Sequence, residues 1–419
     1  MFRDPMVQSL SARMLTKWFS EKSGYEIKLE KVRVTVFDGI ELQGLKVNDH
    51  RGEVLLHVNH LMAQPVFADW SLSLLKFRNL TIDGSHFRYA RYAEDEDYNL
   101  MILINSYRSS NSSESSSSSS DFRITSSKLQ LTNSTFHFYD GHKHYNNGIA
   151  MDYGDMLIDS IYLYSHQFQL INDSLSIDVD SLFAREKCGF SVDRMSADFG
   201  ISNTNLRAHN LLIESNSSFI DLDLDFDYKS WKSYSSFLDS VVMKGEIRPS
   251  TIDLSAVGYF ADIMFSMPNT LGISGSVTGT VADMKGDKLR IKYANDTRFY
   301  GNAMIQGLPD FFTSYMEAEI FELSSSACDL RSFRLPIEEK NVDITDLVEC
   351  KDVFTAKGEF KGYYEDFKTK LNLKSNEGIL DADIAFTRIE NDTVYFTARL
   401  IGDTIDMGRL LDIQDLLAE

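Results

Sequence analysis

The feature that most constrains this chain is an alternation of apolar and polar residues with a period of two. In the segment Phe219–Tyr228, Ile220, Leu222, Leu224 and Phe226 fall on one side. Asp221, Asp223, Asp225 and Asp227 fall on the other. Successive side chains of a strand point to opposite faces, so this segment reads as a strand with one greasy and one wet face. The same signature recurs at Ile27 and Leu29, at Val32, Val34 and Val36, at Ile40 and Leu42, and at Leu289, Ile291 and Tyr293. It returns at Leu371 and Leu373, at Leu380, Ala382, Ile384 and Phe386, and at Val394, Phe396, Ala398 and Leu400. Each run covers roughly 6 to 10 residues. Turn pairs such as Asp38-Gly39, Asp83-Gly84, Asn147-Gly148 and Asn391-Asp392 separate them, which reads as an antiparallel meander. Only 6 Pro stand against 28 Phe and 19 Tyr, a balance that suits strands, because Pro interrupts a ladder and aromatics line a sheet.

The period changes to helical spacing only at the two ends. Residues 4–22 carry Val7, Leu10, Met14, Leu15 and Trp18 on one stripe, and Gly24 stops the helix. Residues 403–419 place Ile405, Met407, Leu410, Leu411 and Leu417 at similar intervals. Between them lie a first β segment at 25–108, a serine run at 109–120 and a continuing β segment at 121–402. Ten of the twelve residues from Ser109 to Ser120 are Ser, and such a stretch buries nothing, so it is expected to be a disordered insertion between strands. At roughly 16 residues per strand and turn the chain holds about 25 strands, on the order of 120 Å of continuous sheet. Curling into a trough or closing into sandwiches would both cover the apolar faces, and periodicity does not choose between them.

Charge and composition exclude several functions. The 419 residues include 62 acidic and 42 basic side chains, a net charge of −20, which repels nucleic-acid backbones and offers no broad basic patch to anionic membranes. Cys188, Cys328 and Cys350 cannot form a disulfide framework, although one bridge between Cys328 and Cys350 suits an oxidising compartment. No apolar stretch approaches the roughly 20 residues of a membrane-spanning helix, and no cleavable leader follows Met1.

Candidate chemistry is thin. Same-face carboxylates of the Asp221–Asp227 run would stand about 6.6 Å apart along one strand, too spread to converge on calcium. His137, Asp140, His142 and His144 have zinc-ligand chemistry, but they straddle a strand and the turn at Gly141 and read as a hairpin tip. Gly272, Gly275 and Gly279 lack dinucleotide-binding spacing and read as bends in a sheet. There is no nucleophile elbow, phosphate loop or paired acid and base. No catalytic residue, metal or cofactor is expected.

The order of weak motifs resembles the N-terminal portion of TamB-type (translocation and assembly module) proteins of the AsmA-like superfamily. Val7-Gln8, Gly24, Ile27, Leu29, Val32 and Val34 resemble the family's opening, followed by Asp49, Gly52 and Leu55. Leu80 to Gly84 with Phe87 and Tyr89, and then Tyr98 to Leu100, resemble its second repeat. Glu186 to Phe190, Gly307 to Asp310, and Gly362 through Leu410 resemble later strands and turns, with Cys188 standing where a small polar residue is usual.

The resemblance implies a mostly β fold, a long curled antiparallel sheet or β-taco with a hydrophobic groove. It implies a periplasmic fragment of a longer, inner-membrane-anchored protein from a Gram-negative envelope, cut from a preceding transmembrane helix and from a C-terminal domain that meets an outer-membrane β-barrel partner. The expected function is conveyance of phospholipid or acyl chains between membranes, with Ile220, Leu222, Leu224, Phe226, Leu380, Ala382, Ile384 and Phe386 lining the groove. The alternatives are a factor for outer-membrane protein assembly and protein secretion, and a β-sandwich scaffold or adhesin.

Overall fold

The computed structural model describes residues 25–35, 39–69, 74–110, 123–143, 149–260, 262–267, 269–332, 352–375, 378–389 and 393–403. The helices expected at 4–22 and 403–419, and most of the serine run, lie outside these residues, although Asp403 closes the last strand. Most described residues are in strands. The contacts divide the chain into two units, Met1–Ser202 with Asn210–Asn216 and Asn203–His209 with Ser217–Glu419.

In the first unit the strands are β1 (Ile27–Lys28), β2 (Lys31–Thr35), β3 (Gly39–Asn48), β4 (Val54–Asp69), β5 (Leu74–Arg91), β6 (Arg123–Asp140), β7 (Asp155–Ile171), β8 (Ser174–Glu186) and β9 (Ser191–Ile201). From β3 onward each pairs with the next in sequence. All these pairs are antiparallel except one. Strands β5 and β6 run parallel, with Leu80 opposite Leu129 and Phe87 opposite Phe136, which corrects the expectation of an unbroken meander. A parallel pair needs a long crossover, and helix α1 (Asn99–Ser110) with the serine run supplies it. The run therefore begins inside a helix at Ser109 and Ser110, within a connection the topology requires.

Strand β10 (Asn205–Ser215) follows. The second unit then holds β11 (Ser218–Asp227), β12 (Val242–Asp253), β13 (Thr270–Gly279), β14 (Asp283–Tyr293), β15 (Thr297–Gln306), β16 (Tyr315–Ser326), β17 (Val353–Tyr363), β18 (Asp366–Ser375), β19 (Gly378–Ile389) and β20 (Thr393–Asp403). Each pairs antiparallel with its successor. Short helices at Phe237–Ser240, Leu254–Val257 and Ala327–Ser332 fill connections. Cys328 of the last is disulfide-bonded and Cys188 is free. That leaves Cys350, outside the described residues, as the chain's one other cysteine.

Strands of 10 to 18 residues are longer than the alternating runs because bulges interrupt the pattern without ending the strand. In β14, Met284 and Gly286 face one way, and after a register shift Leu289, Ile291 and Tyr293 continue that same face. Lys288, at a φ of 50°, absorbs the extra residue. In β12, Met243, Gly245 and Ile247 hand over to Ser250 and Ile252 across a shift that contains Pro249, a residue tolerated at a bulge.

Among the described residues two clusters of buried apolar side chains mark the packed core. In the first unit Leu129, Ile177 and Val179 form one cluster with Leu80, Leu163, Phe168, Leu182 and Phe199 against it. In the second, Leu254, Met267 and Tyr293 form another under the connection between β12 and β13.

Gly358 tests the ladder's tightness. Its φ is +154°, and a Cβ there would sit 1.9 Å from the carbonyl oxygen of Lys370 on the neighbouring strand. At Gly200 the nearest obstacle is 3.9 Å away. Gly358→Ala is expected to cost about 2 kcal/mol or more, and Gly200→Ala less than about 0.5 kcal/mol. Thermal denaturation of the two variants checks this; equal midpoints would refute it.

Candidate functional site

The strand register carries one apolar row across the whole second unit. Leu224 lies opposite Gly245, which lies opposite Val277, then Gly286, Ala303 and Ala318. The row continues through Phe360, Thr369 and Ile384 to Ala398. At about 4.8 Å per strand it runs on the order of 40 Å. Beside it on the same face runs a bulkier row: Phe226, Met243, Gly279, Met284, Ile305, Met316, Gly362, Phe367, Phe386 and Phe396. Neither row contains a charged residue.

The eight residues singled out from the sequence therefore share one face, four at each end of this ladder. Leu222 pairs with Ile247, and Ile220 lies two residues before it in the same alternation. Leu380 and Ala382 are buried against Leu373 and Leu371, while Ile384 and Phe386 are half-buried opposite Thr369 and Phe367. Ile220, Leu222, Leu224 and Phe226 are also only half-buried. Neighbours on adjacent strands cover their sides, and part of each side chain stays in contact with solvent. At the β20 end, aromatic contacts link Phe360 to Phe367 at 5.2 Å and Phe367 to Phe386 at 5.1 Å, worth about 0.5–1.5 kcal/mol each beyond their area. Phe396, opposite Phe386, is 67% exposed.

The first unit repeats the arrangement. Val32, Leu42, Leu61, Ile82, Leu131, Leu163, Leu182 and Met195 form one row across β2 to β9. Val34, Ile40, Ala63, Leu80, Leu129, Ser165, Val179 and Ala197 form the next.

The other face is charged. Arg248 on β12 reaches Asp221 at 2.5 Å and Asp223 at 2.8 Å, Lys244 reaches Asp227 at 2.9 Å, and His209 lies 3.1 Å from Asp225. The aspartate run thus meets basic partners on neighbouring strands. Such exposed pairs contribute little each, but they identify the solvent side.

Several acids are buried at strand ends, where they cap turns. Asp49 accepts from the backbone N–H groups of Arg51 and Glu53 and from the Tyr92 hydroxyl. Glu186 accepts from Leu157 and Cys188 N–H, and Asp329 from Asp296 and Thr297 N–H. Burial and the neighbouring Glu186 push the Cys188 thiol up to about 11, so its reactive thiolate is scarce at neutral pH. Of the suggested zinc group, Asp140 is fully buried against Arg91, and His137 lies 2.7 Å from Asp155. Among the described residues no three His, Cys, Asp or Glu side chains are placed to hold a metal. No described helix is long and apolar enough to cross a membrane.

The sequence reading missed Met243, Met284, Met316, Phe360 and Phe367 as members of the face. Glycine and alanine at alternate positions hide them. In β12 the inward set is Met243, Gly245 and Ile247, and in β15 Phe299 and Ile305 are joined by Gly301 and Ala303, so a scan for bulky apolar residues finds no run. Compared with models of protein families, curated proteins and solved structures, the chain matches none.

Asp140 supplies a check on the strand-end acids. Burial alone would raise its carboxyl, but the Arg91 guanidinium, the His142 N–H and the Tyr98 hydroxyl outweigh it and hold the group below the usual carboxylate range. A depressed carboxylate contributes stability that is complete above the ordinary carboxylate pKa and drains as pH falls through and below it. Asp140→Ala, which leaves Arg91 without its partner, is expected to cost about 2–3 kcal/mol, less than a fully buried pair because Arg91 keeps some solvent. Denaturant titration at pH 7 and pH 3.5 checks both points, since the loss should shrink at the lower pH. A constant difference between the two would contradict it.

Proposed function

We propose that this chain is the periplasmic, groove-forming part of a TamB-type envelope protein, and that its apolar faces convey phospholipid acyl chains between the inner and outer membranes. The supporting observation is the uncharged row from Leu224 to Ala398, which crosses ten strands; Gly245, Gly286 and Thr369 are buried in it, while its other seven members stay only partly covered. A face of that kind invites acyl chains, each buried CH₂ contributing about 0.8 kcal/mol. Because no position of the row is charged, a chain that slides along it exchanges one largely apolar neighbour for another at little net cost. A conduit needs that property, and an enzyme pocket would not have it. Large exposed apolar surface is an aggregation hazard unless occupied. The disulfide at Cys328 fits an oxidising compartment.

One observation favours a second reading, in which the chain assists assembly of outer-membrane β-barrels. Among the described residues β20 pairs only with β19, and it leaves Phe396 and Ile401 exposed. Such an edge can accept an incoming strand. Cross-links from β20 to a nascent barrel rather than to phospholipid would favour it.

The direct test is lipid extraction and mass spectrometry on the purified protein, with a size-matched soluble control. The expected result is about stoichiometric phospholipid in the parent protein, with at least a fivefold loss in Leu224→Asp and Ile384→Asp. Both variants should keep their strand circular dichroism, because each site is half-buried. Lipid-free, monodisperse protein would overturn the conduit, and unfolding of both variants would point to a packed core.

A further inference from the structure

On the charged face of the first unit, the register gathers cations and imidazoles in an otherwise acidic chain. Lys46 on β3 lies opposite His57 on β4, which lies opposite His86 on β5. Two residues along β5, Arg88 lies opposite His137 on β6. These five side chains line one hollow of about 480 Å³, whose single lining acid among the described residues is Glu53. Glu53 is 64% exposed and 3.7 Å from Arg88. Arg88 is held in place by Tyr92 and Tyr139, whose ring centres lie 5.5 and 5.7 Å from its guanidinium, and it donates to the Tyr92 hydroxyl at 3.3 Å. Its Nε is nevertheless buried with no acceptor among the described residues. Protonation of the facing imidazoles would set like charges directly opposite one another on adjacent strands, which destabilises a sheet and which a bound negative charge would relieve.

We propose that this hollow is an anion site for a phosphate-type group, and that its affinity rises as the imidazoles of His57 and His86 gain protons. The chemistry fits: a tetrahedral oxyanion offers several acceptors to guanidinium, ammonium and imidazolium donors, which bind it through charge-assisted hydrogen bonds. Burial, reinforced by the neighbouring His137, Arg88 and His57, holds His86 below its usual range. The charged and titratable groups that face it are His137 from β6, Arg88 from β5 and His57 from β4, with Lys46 from β3 and Glu53 lining the same hollow. From β7, Asp155 bonds His137 and is itself paired with Lys187 at 2.7 Å. With the hollow empty, the unfolded chain takes up the His86 proton first, so the protein loses stability as pH falls through the usual histidine range. A bound anion reverses that trend. This site lies on the face opposite the apolar rows and stands whether or not they carry lipid.

The test uses inorganic sulfate, whose charge is constant between pH 5.5 and 8, with the whole chain. Calorimetry is expected to show binding about tenfold tighter at pH 5.5 than at pH 8. Nuclear magnetic resonance of the unsubstituted protein should show the His86 titration midpoint rising when sulfate is added. His57→Gln combined with His86→Gln should keep the fold and lose most of the pH dependence. A His86 midpoint that ignores sulfate, equal affinity at both pH values, or unchanged binding in the double variant would overturn the proposal. A second arm separates the ligand's sources. Recruitment to phosphatidylcholine vesicles containing phosphatidylglycerol, reversed by sulfate, assigns the site to a lipid headgroup. Sulfate and inorganic phosphate binding without recruitment assigns it to a free anion, and the absence of both refutes it.

Discussion

Everything in these two units depends on the parity of the strand ladder. Side chains alternate strictly, so a slip of one residue would exchange the apolar face for the charged one along a whole strand. Across nine successive pairings, Leu224 nevertheless remains on the same face as Ile384 and Ala398. Backbone hydrogen bonds provide the connection, and the hydrophobic pattern selects among registers. Neither suffices alone, because the ladder accepts any register and the apolar residues need a geometry that aligns them.

Bulges make long strands compatible with that parity. A strand of 12 to 18 residues twists, and an extra residue at mid-strand lets it bend while the second half keeps its face. Lys288 in β14, Asn133 in β6 and Ser160 in β7 occupy left-handed backbone conformations within strands, and each lies at or beside a register shift. Glycines act differently. Gly279 and Gly362 combine positive φ with backbone atoms of a neighbouring residue where a Cβ would stand, so they occupy places in the bulkier row that no side chain could fill. The bulkier row is therefore interrupted at two places by a position without a side chain.

Polar chemistry is kept away from those rows. The buried acids Asp49, Asp140, Glu186 and Asp329 lie at strand ends or in a connecting helix, and they satisfy turn N–H groups that would otherwise be orphaned. The carboxylates of β11 pair with Arg248 and Lys244 on the opposite side. This separation keeps the apolar rows without charge and puts the ionisable groups on the other face, where Lys46, His57, His86, Arg88 and His137 come together.

The alternation of Ile220, Leu222, Leu224 and Phe226 with four aspartates was enough to establish strands, their two-faced character and membership of the apolar face, because period two is local and independent of neighbours. Strand number was not legible: the bulges at Lys288 and Pro249 reverse the sequence parity, so one long strand reads as two short runs. The parallel pairing of β5 with β6 was hidden for another reason, since a strand's own pattern does not reveal the direction of its partner. Nor did the sequence mark Met243 or Phe367 as neighbours of Phe226 and Phe386, or bring His57, His86 and His137 into one hollow. Those relations join residues tens of positions apart, and only the hydrogen-bonded register of the folded sheet decides them.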